Sequence, residues 1–417
     1  MIQKPIALLF ALVIFIQAKS QNTPTIITNA KIHVGNGQII EKGTLVFSNG
    51  IIEYVGTDNN TFYKTATIIN AEGKHVYPSL FALNNVVGLN EIDAVRATHD
   101  FNENGSINPN VRAQIAYNTD SKILPTLKFN GILFTQVTPQ GGLISGSSSV
   151  MKTEAWNWED ATVKKDDGIH INWPEQSPWG NLEKQKEQIE KHTQSLKTFL
   201  TEAKHYCLNT PIVSNIRYEA MRSIFNKSSK LFVHVNTAKG IINCIQFFKQ
   251  QFPEIDVVLF DAAEANYCID IIKENNIKVV ISNIHSLPSN ASKDVDQPYK
   301  TVAQLFNAGI TVAVARNGSW EARNVMFNAG TVAAYGINPE QALQTITLNA
   351  AKIVGLDSLY GSLEKGKNAS LIISDGDVLD MKSNNIVQAF INGEALTIDN
   401  EQKTLAKKFQ NKYGIKN

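Results

Sequence analysis

Two consecutive glycines with polar neighbours stand directly after an apolar run and have the composition of a ligand-binding loop. Gln140, Gly141 and Gly142 follow residues 131–137, which read as a buried strand. Consecutive glycines let backbone N–H groups converge on an anion or a carbonyl oxygen. The segment is not a phosphate-binding P-loop, because the Gly-Lys-Ser/Thr ending of that motif is absent. It is either a substrate-binding loop or a tight structural crossover between two strands.

Basic and polar side chains also follow two later apolar runs. His285 comes after residues 278–281, and Arg316 and Asn317 come after residues 310–315. An arginine at a strand end can hold the carboxylate of a ligand through a two-pronged contact. His285 is either part of the same site or a histidine of a surface loop.

The elements that must position these residues alternate between short apolar runs and amphipathic segments. Alternating β and α elements predict a parallel sheet with right-handed crossovers. Residues 78–356 are close in length to the roughly 250 residues of an eight-fold β/α barrel. The eight strands are predicted over residues 79–83, 131–137, 148–152, 211–214, 231–235, 256–260, 278–281 and 310–315.

Both ends of the chain are rich in β signals. Asn49-Gly50 and Asn392-Gly393 are strong hairpin turns between apolar runs. We therefore expect residues 21–77 and 357–400 to form one composite β sandwich beside a barrel of residues 78–356. Residues 401–417 form a basic tail, expected to be a surface helix. The predicted fold class is α/β, a (β/α)8 TIM barrel with a flanking β sandwich from both chain ends.

The N-terminal sequence and the charge composition indicate where the protein is located and which partners it lacks. Residues 1–20 have the layout of a secretory signal peptide, with Lys4, an apolar run too short to span a membrane, and a cleavage site near Ser20. We expect a secreted or periplasmic protein that does not associate with a membrane after cleavage. The balance of 39 Lys and Arg against 38 Asp and Glu argues against nucleic-acid binding.

Three segments of the chain resemble the amidohydrolase superfamily, in particular its imidazolonepropionase-like branch. Residues 76–80 (VYPSL) resemble the segment that leads into the first barrel strand, and residues 329–355 resemble the helix pair after the last strand. Residues 361–369 (GSLEKGKNA) resemble the return into the sandwich. The resemblance implies hydrolysis of non-peptide C–N bonds by one or two divalent metals, such as zinc, which lower the pKa of a bound water.

The same resemblance places several metal-ligand positions on residues that are poor ligands. His234 retains a histidine of the fifth strand, and Asp261 stands where the sixth strand usually has one. Asn84 and Val86 fall on the two histidine positions of the first strand. His234 and Asp261 make two ligands, whereas catalytic zinc sites normally have about three from the protein. A non-standard metal site with His285 and a metal-free hydrogen-bonded pair remain open.

The family also has an aspartate ligand at the end of the eighth strand. Arg316 or Asn317 stands at that position in this chain. Arg316 is expected either to pair with Asp261 or to bind a ligand. The resemblance thus implies a hydrolase, but most of its metal-ligand positions are replaced in this chain, so we expect a degenerate metal site and little or no activity.

If catalysis occurs, we expect His234 and Asp261 to act as an acid–base pair, with Asn84 or the amides of Gly141 and Gly142 polarising the carbonyl. The alternative is a non-catalytic protein that binds a small molecule at the barrel mouth or pairs with an active relative. Self-association is a further expected partnership, and no cofactor is firmly expected.

Overall fold

A computed structural model describes residues 23–58, 63, 65–177, 179–209, 212–288 and 293–415. The expected signal peptide, residues 1–20, lies outside the described residues. The strands are β1 (Thr25–His33), β2 (Ile39–Ser48), β3 (Ile51–Gly56), β4 (Thr67–Asn70), β5 (His75–Pro78), β6 (Leu80–Asn85), β7 (Ile132–Val137), β8 (Ile144–Lys152), β9 (Thr162–Asn172), β10 (Lys230–Val235), β11 (Val257–Asp261), β12 (Lys278–Ser282), β13 (Val312–Ala315), β14 (Leu371–Ser374), β15 (Ile386–Ile391) and β16 (Glu394–Leu396).

The helices lie mostly between the later strands. They are α1 (Leu124–Phe129), α2 (Trp158–Ala161), α3 (Leu182–Leu208), α4 (Ile216–Ala220), α5 (Arg222–Phe225), α6 (Ala238–Gln251), α7 (Ile269–Glu274), α8 (Gln297–Asn307), α9 (Val325–Ala334), α10 (Pro339–Thr345), α11 (Leu348–Val354) and α12 (Glu401–Tyr413). Within the described ranges, no helix is both long enough and apolar enough to cross a membrane. The C-terminal helix α12 lies on the surface and buries none of its residues.

One eight-stranded sheet joins the two ends of the chain, in the order β16-β15-β14-β5-β1-β2-β3, with β4 also pairing with β1. The two ends meet where β5 and β14 run antiparallel, with Pro78 opposite Leu371. Asn49 and Asn392 both have positive φ angles, and each is followed by a glycine that also has one. This is the conformation that a two-residue hairpin turn requires.

A second eight-stranded sheet forms the barrel, in the order β13-β12-β11-β10-β9-β8-β7-β6. It nearly closes, because β13 lies beside β6. The strands from β9 to β13 are parallel to one another, and β6 is parallel to β7. The expected α/β class and eight-stranded barrel sheet are therefore present.

The barrel lacks the strict alternation of strands and helices that the sequence predicts. β8 is antiparallel to both β7 and β9. Antiparallel neighbours need only a short connection, so no crossover helix separates them, and only the four-residue α2 precedes β9. The strand predicted over residues 211–214 is wrong, since residues 212–214 form no strand. The fourth position of the barrel belongs to β9 instead.

The two sheets pack through alternate side chains of β14. Leu371 and Ile373 join the core of the sheet built from both chain ends, whereas Ile372 joins the barrel core. This follows from the two-residue period of a strand. Gly131 lies under Ile372, and a Cβ at Gly131 would stand 2.6 Å from the Ile372 Cδ1 atom. A side chain at this position would force Ile372 to shift, and the φ of 87° at Gly131 also favours glycine.

Candidate functional site at the barrel mouth

Polar side chains from four strand ends meet at the mouth of the barrel. The Asn84 Nδ2 atom at the end of β6 lies 3.1 Å from Asp261 Oδ1 and 3.1 Å from Asn317 Oδ1. It also lies 3.3 Å from the Ser282 hydroxyl. Asn317 Nδ2 donates to the same Asp261 oxygen at 3.3 Å. Residues from β6, β11, β12 and the segment after β13 thus converge on one carboxylate.

The backbone helps to aim these side chains. Asn84 and Asp261 have φ angles of 54° and 68°, in the left-handed region. Asparagine and aspartate adopt this conformation more readily than most residues other than glycine. Below Asn84, its backbone N–H donates to Gln136 Oε1 at 3.2 Å, which fixes the end of β6 to β7.

A histidine pair continues the network away from Asp261. His234 Nδ1 lies 2.7 Å from Asp261 Oδ2, and His234 Nε2 lies 2.9 Å from His170 Nδ1. His170 is fully buried between the rings of Phe232 and Phe260. The contacts are satisfied when His234 Nδ1–H donates to Asp261 and His170 Nδ1–H donates to His234. Both ring nitrogens of His234 are then occupied.

Electrostatics keep Asp261 ionised and His170 neutral. Burial alone would raise the pKa of Asp261, but the charge of His234 and the hydrogen bonds from His234, Ser282 and Asn317 outweigh it and lower the pKa to about 2. Burial, followed by the neighbouring charge of His234, lowers the pKa of His170 well below its usual value. The unused His170 Nε2 atom has no hydrogen-bond partner among the described residues.

A second buried carboxylate lies inside the barrel. Asp167 accepts hydrogen bonds from Gln136 Nε2 and from the Ser148 hydroxyl, both at 2.7 Å. Burial raises its pKa to about 6, although these hydrogen bonds and two lysines act in the opposite direction. Because Gln136 also holds the backbone of Asn84, Asp167 supports the mouth from within the barrel.

The mouth opens into a cavity of about 590 Å³, which we call the mouth pocket. Three of the predicted substrate-binding residues, Gln140, Arg316 and Asn317, line it. Asn317 also contacts Asp261, so it connects the pocket to the hydrogen-bond network. The lining residues are Val86, Asn90, Asp93, Phe101, Gln140, Asn283, Arg316, Asn317, Gly318, Ser319 and Glu321.

Arg316 is the cation of this pocket, and it does not pair with Asp261. Its Nη1 atom donates to Asn283 Oδ1 at 3.3 Å. Among the described residues, no carboxylate lies within the 4.0 Å of an ion pair. Of the two arrangements considered for Arg316, pairing with Asp261 is therefore not the one found, and the guanidinium remains available to a ligand.

The other predicted residues lie at the edge of the site. The carbonyl oxygens of Gly141 and Gly142 accept hydrogen bonds from Ser145 and Asn172 side chains. A Cβ at Gly142 would stand 2.9 Å from the Ser106 carbonyl oxygen, so the loop packs closely against its neighbour. His285 Nε2 lies 2.7 Å from the Thr331 hydroxyl, and the partial burial of the ring, followed by the charge of Arg316, lowers the pKa of His285.

His170 and Ser282 belong to the network but were not predicted as site residues from the sequence. His170 is the more informative of the two. It lies on β9, whose sequence TVKKDDGIHIN is mostly polar and was not assigned as a strand. The alternation of Ile169, His170 and Ile171 is the available signal, since it predicts two side chains on one face and the histidine on the other. Across the described ranges, no three His, Cys, Asp or Glu side chains are grouped so that they could hold a metal ion.

Comparison with known proteins places these observations in a family. The sequence model of the amidohydrolase family matches residues 146–396. Imidazolonepropionase of Picrophilus torridus is 32% identical over 152 residues, which are 36% of each chain. Imidazolonepropionase of Thermoplasma volcanium is 26% identical over 192 residues, which are 45% of each chain. The matched region thus spans less than half of the length of these curated relatives.

Solved structures share the fold over most of the chain. An amidohydrolase from Thermotoga maritima superposes with a TM-score of 0.78 and 22% identity, covering 89% of this chain and 99% of that one. The ochratoxinase of A. niger superposes with a TM-score of 0.57 and 14% identity, covering 90% and 96% of the two chains. At these identities the similarity establishes the fold alone.

Proposed function

We propose, from the premise that the chain belongs to the amidohydrolase family, that its barrel mouth binds a small molecule without a metal. The observation that supports this proposal is the set of hydrogen bonds around Asp261. A carboxylate has about four lone-pair directions. Asn84 and Asn317 donate to its Oδ1 atom and His234 donates to its Oδ2 atom, so hydrogen bonds within the protein already engage three of these directions and compete with a cation.

The chemistry of the other side chains points the same way. Asn84 and Asn317 direct amide N–H groups at the carboxylate, and Val86 has no donor atom for a metal. Catalytic zinc sites take about three nitrogen, sulfur or carboxylate ligands from the protein. The described residues at the mouth therefore do not fit the divalent metal that the family implies.

Without an activated water, hydrolysis would depend on acid–base catalysis. Such catalysis contributes only about 10²–10⁴-fold, far below the acceleration that most hydrolases achieve. His234 is also poorly placed as a base, because both of its ring nitrogens are engaged. We therefore favour ligand binding over hydrolysis as the function of this mouth.

Metal analysis of the purified full-length protein tests the proposal. The protein is incubated with zinc or manganese, desalted and measured by inductively coupled plasma mass spectrometry, and we expect substoichiometric metal. The variant Asn84→His/Val86→His/Asn317→Asp restores three family ligands and should retain about one ion per chain. About one tightly bound ion in the wild type would contradict the proposal.

The hydrolase alternative has its own test. The curated relatives are imidazolonepropionases, so imidazolone propionate is the substrate to try. We expect no turnover by the wild type. Turnover that is removed by chelation would establish the family reaction, whereas turnover that survives chelation would indicate metal-free catalysis by His234 and Asp261.

We also propose that residues 1–20 direct the protein to the periplasm or the exterior, where the ligand would be met. The expected mature N-terminus is Gln21, and mass spectrometry of the protein from cell fractions checks it. Full-length protein in the cytoplasmic fraction would contradict this localisation.

A further inference from the structure

The mouth pocket contains opposite charges that do not neutralise one another. Arg316 lines it together with the carboxylates of Asp93 and Glu321. No ion pair within 4.0 Å joins the guanidinium to either carboxylate, or to any other acid in the described part of the chain. Among the described residues, Arg316 makes one side-chain hydrogen bond, to the neutral amide of Asn283. The positive and the negative walls are therefore both open to a bound molecule.

Beside Asp93, the side chain of Asn90 has a buried oxygen for which the described residues supply no hydrogen-bond donor. Asn90 is 5% exposed, and its Nδ2 group donates to Asp93 and to the Ser319 hydroxyl. Its Oδ1 atom is buried and accepts no hydrogen bond from the residues that the structure describes. The Asn90 amide thus holds Asp93 in place and leaves an acceptor without a donor on the acidic side of the pocket.

The size and the remaining lining limit the ligand. A cavity of about 590 Å³ lies within the range of pockets that hold small organic molecules. Val86 and Phe101 supply an apolar surface, whereas Gln140 and Ser319 supply neutral hydrogen-bonding groups. A ligand that fits has a carboxylate for the planar fork of Arg316, a cationic group for the acids, and a short apolar part.

We infer that the mouth pocket binds a small zwitterion of the amino-acid class, with its carboxylate on Arg316 and its ammonium group toward Asp93 and Glu321. This inference rests on the proposed metal-free binding function. It adds the class of ligand and the orientation in which the ligand lies. A simple anion is disfavoured, because two carboxylates line the same cavity as the single guanidinium.

Calorimetric titration of the full-length protein with the standard L-amino acids tests this inference. Buffers are freed of metal by a chelating resin, because soluble chelators carry carboxylates that would compete. The amino acid that binds best is then compared with its N-acetyl derivative, which lacks the ammonium group, and with its amide, which lacks the carboxylate. We expect both derivatives to bind about tenfold more weakly, or worse.

Two arginine variants assign the carboxylate contact. Arg316→Gln should weaken binding of the free amino acid about tenfold or more and leave binding of its amide nearly unchanged. Arg323→Gln is the matched control, because the Arg323 guanidinium lies 5.4 Å from the centre of the Trp320 ring and outside the pocket lining. We expect it to bind the amino acid as the wild type does.

Several outcomes would overturn the inference. They are absence of binding by every amino acid, equal binding of the amide and the free amino acid, or equal losses in the two arginine variants. In metal-free buffer each of these outcomes would contradict binding of a zwitterion, but not the proposal that the mouth binds a small molecule without a metal. Binding that appears only after zinc is added would overturn both this inference and the proposed function.

Discussion

Asn84 donates from its amide to Asp261, and the Asn84→Asp substitution replaces that donor with a second carboxylate. The change is nearly isosteric, so it creates no cavity. Aspartate also tolerates the left-handed backbone that Asn84 adopts, with a φ of 54°. The expected effect is therefore electrostatic, between two acids whose atoms now stand 3.1 Å apart.

The size of the effect follows from two limits. Two like charges about 4 Å apart repel by about 4 kcal/mol at an effective dielectric constant of about 20. Protonating the new carboxyl avoids this repulsion, at a free-energy cost of about 4 kcal/mol at pH 7 and about 1.5 kcal/mol at pH 5. The folded state raises the pKa of the new acid above its unfolded value, so stability is lost as the pH rises. We expect a loss of about 4 kcal/mol at pH 7 and less than half of that at pH 5.

Urea unfolding followed by tryptophan fluorescence at both pH values measures this loss. Asn283→Asp is the matched control, since Asn283 also has a left-handed backbone with a φ of 56° and also lies at the mouth. Its side-chain oxygen faces Arg316 rather than Asp261, so the same substitution should change stability little. An Asn84→Asp protein as stable as the wild type at pH 7, or equally weakened at both pH values, would refute the network around Asp261.

Two further predictions concern stability away from the mouth pocket. The pKa of the buried Asp167 is about 6, against an ordinary value of 3.8, so its contribution to the free energy of unfolding is present below pH 3.8 and is lost as the pH rises through 6. Relative to Asp167→Asn, the free energy of unfolding of the wild type should fall by about 3 kcal/mol over this range. Urea-unfolding stabilities of the two proteins that change in parallel with pH would contradict this. Gly361 and Gly366 have nearly equal φ angles of 90° and 91°. A Cβ at Gly361 would stand 2.8 Å from the Ala351 Cβ, whereas a Cβ at Gly366 would meet no other described part of the chain within 4 Å. Gly366→Ala should therefore cost about 1–2 kcal/mol from backbone strain and Gly361→Ala about 1–3 kcal/mol more from overpacking, and equal shifts in Tm would show that the crowding is not felt.

Local sequence patterns predicted the strands that are continuously apolar. Residues 231–235 and 278–281 correspond closely to β10 and β12, because buried parallel strands read as nearly continuous apolar runs, interrupted here by His234 and preceded by a lysine in each strand. β9 was missed for a physical reason. Its Asp167 and His170 are buried and form hydrogen bonds with side chains of other strands, and no pattern within β9 reveals those partners.

The site itself was predictable only in part. The positions of Asn84, His234, Asp261 and Asn317 were named from the resemblance, and the structure places them in one network. Their hydrogen-bond partners depend on side-chain directions that a linear sequence does not contain. His285 illustrates this, because it follows a barrel strand as expected but contacts Thr331 on α9.

The antiparallel ladder between β5 and β14 has a consequence for how the polypeptide matures. During synthesis the first five strands are complete long before Leu371–Ser374 exist, so β5 lacks the neighbour that covers its outer edge. Contacts so distant in sequence close slowly, and an uncovered strand edge invites pairing with other chains. Native assembly of this sheet must therefore wait for nearly the whole chain, and a nascent or truncated chain leaves that strand edge uncovered.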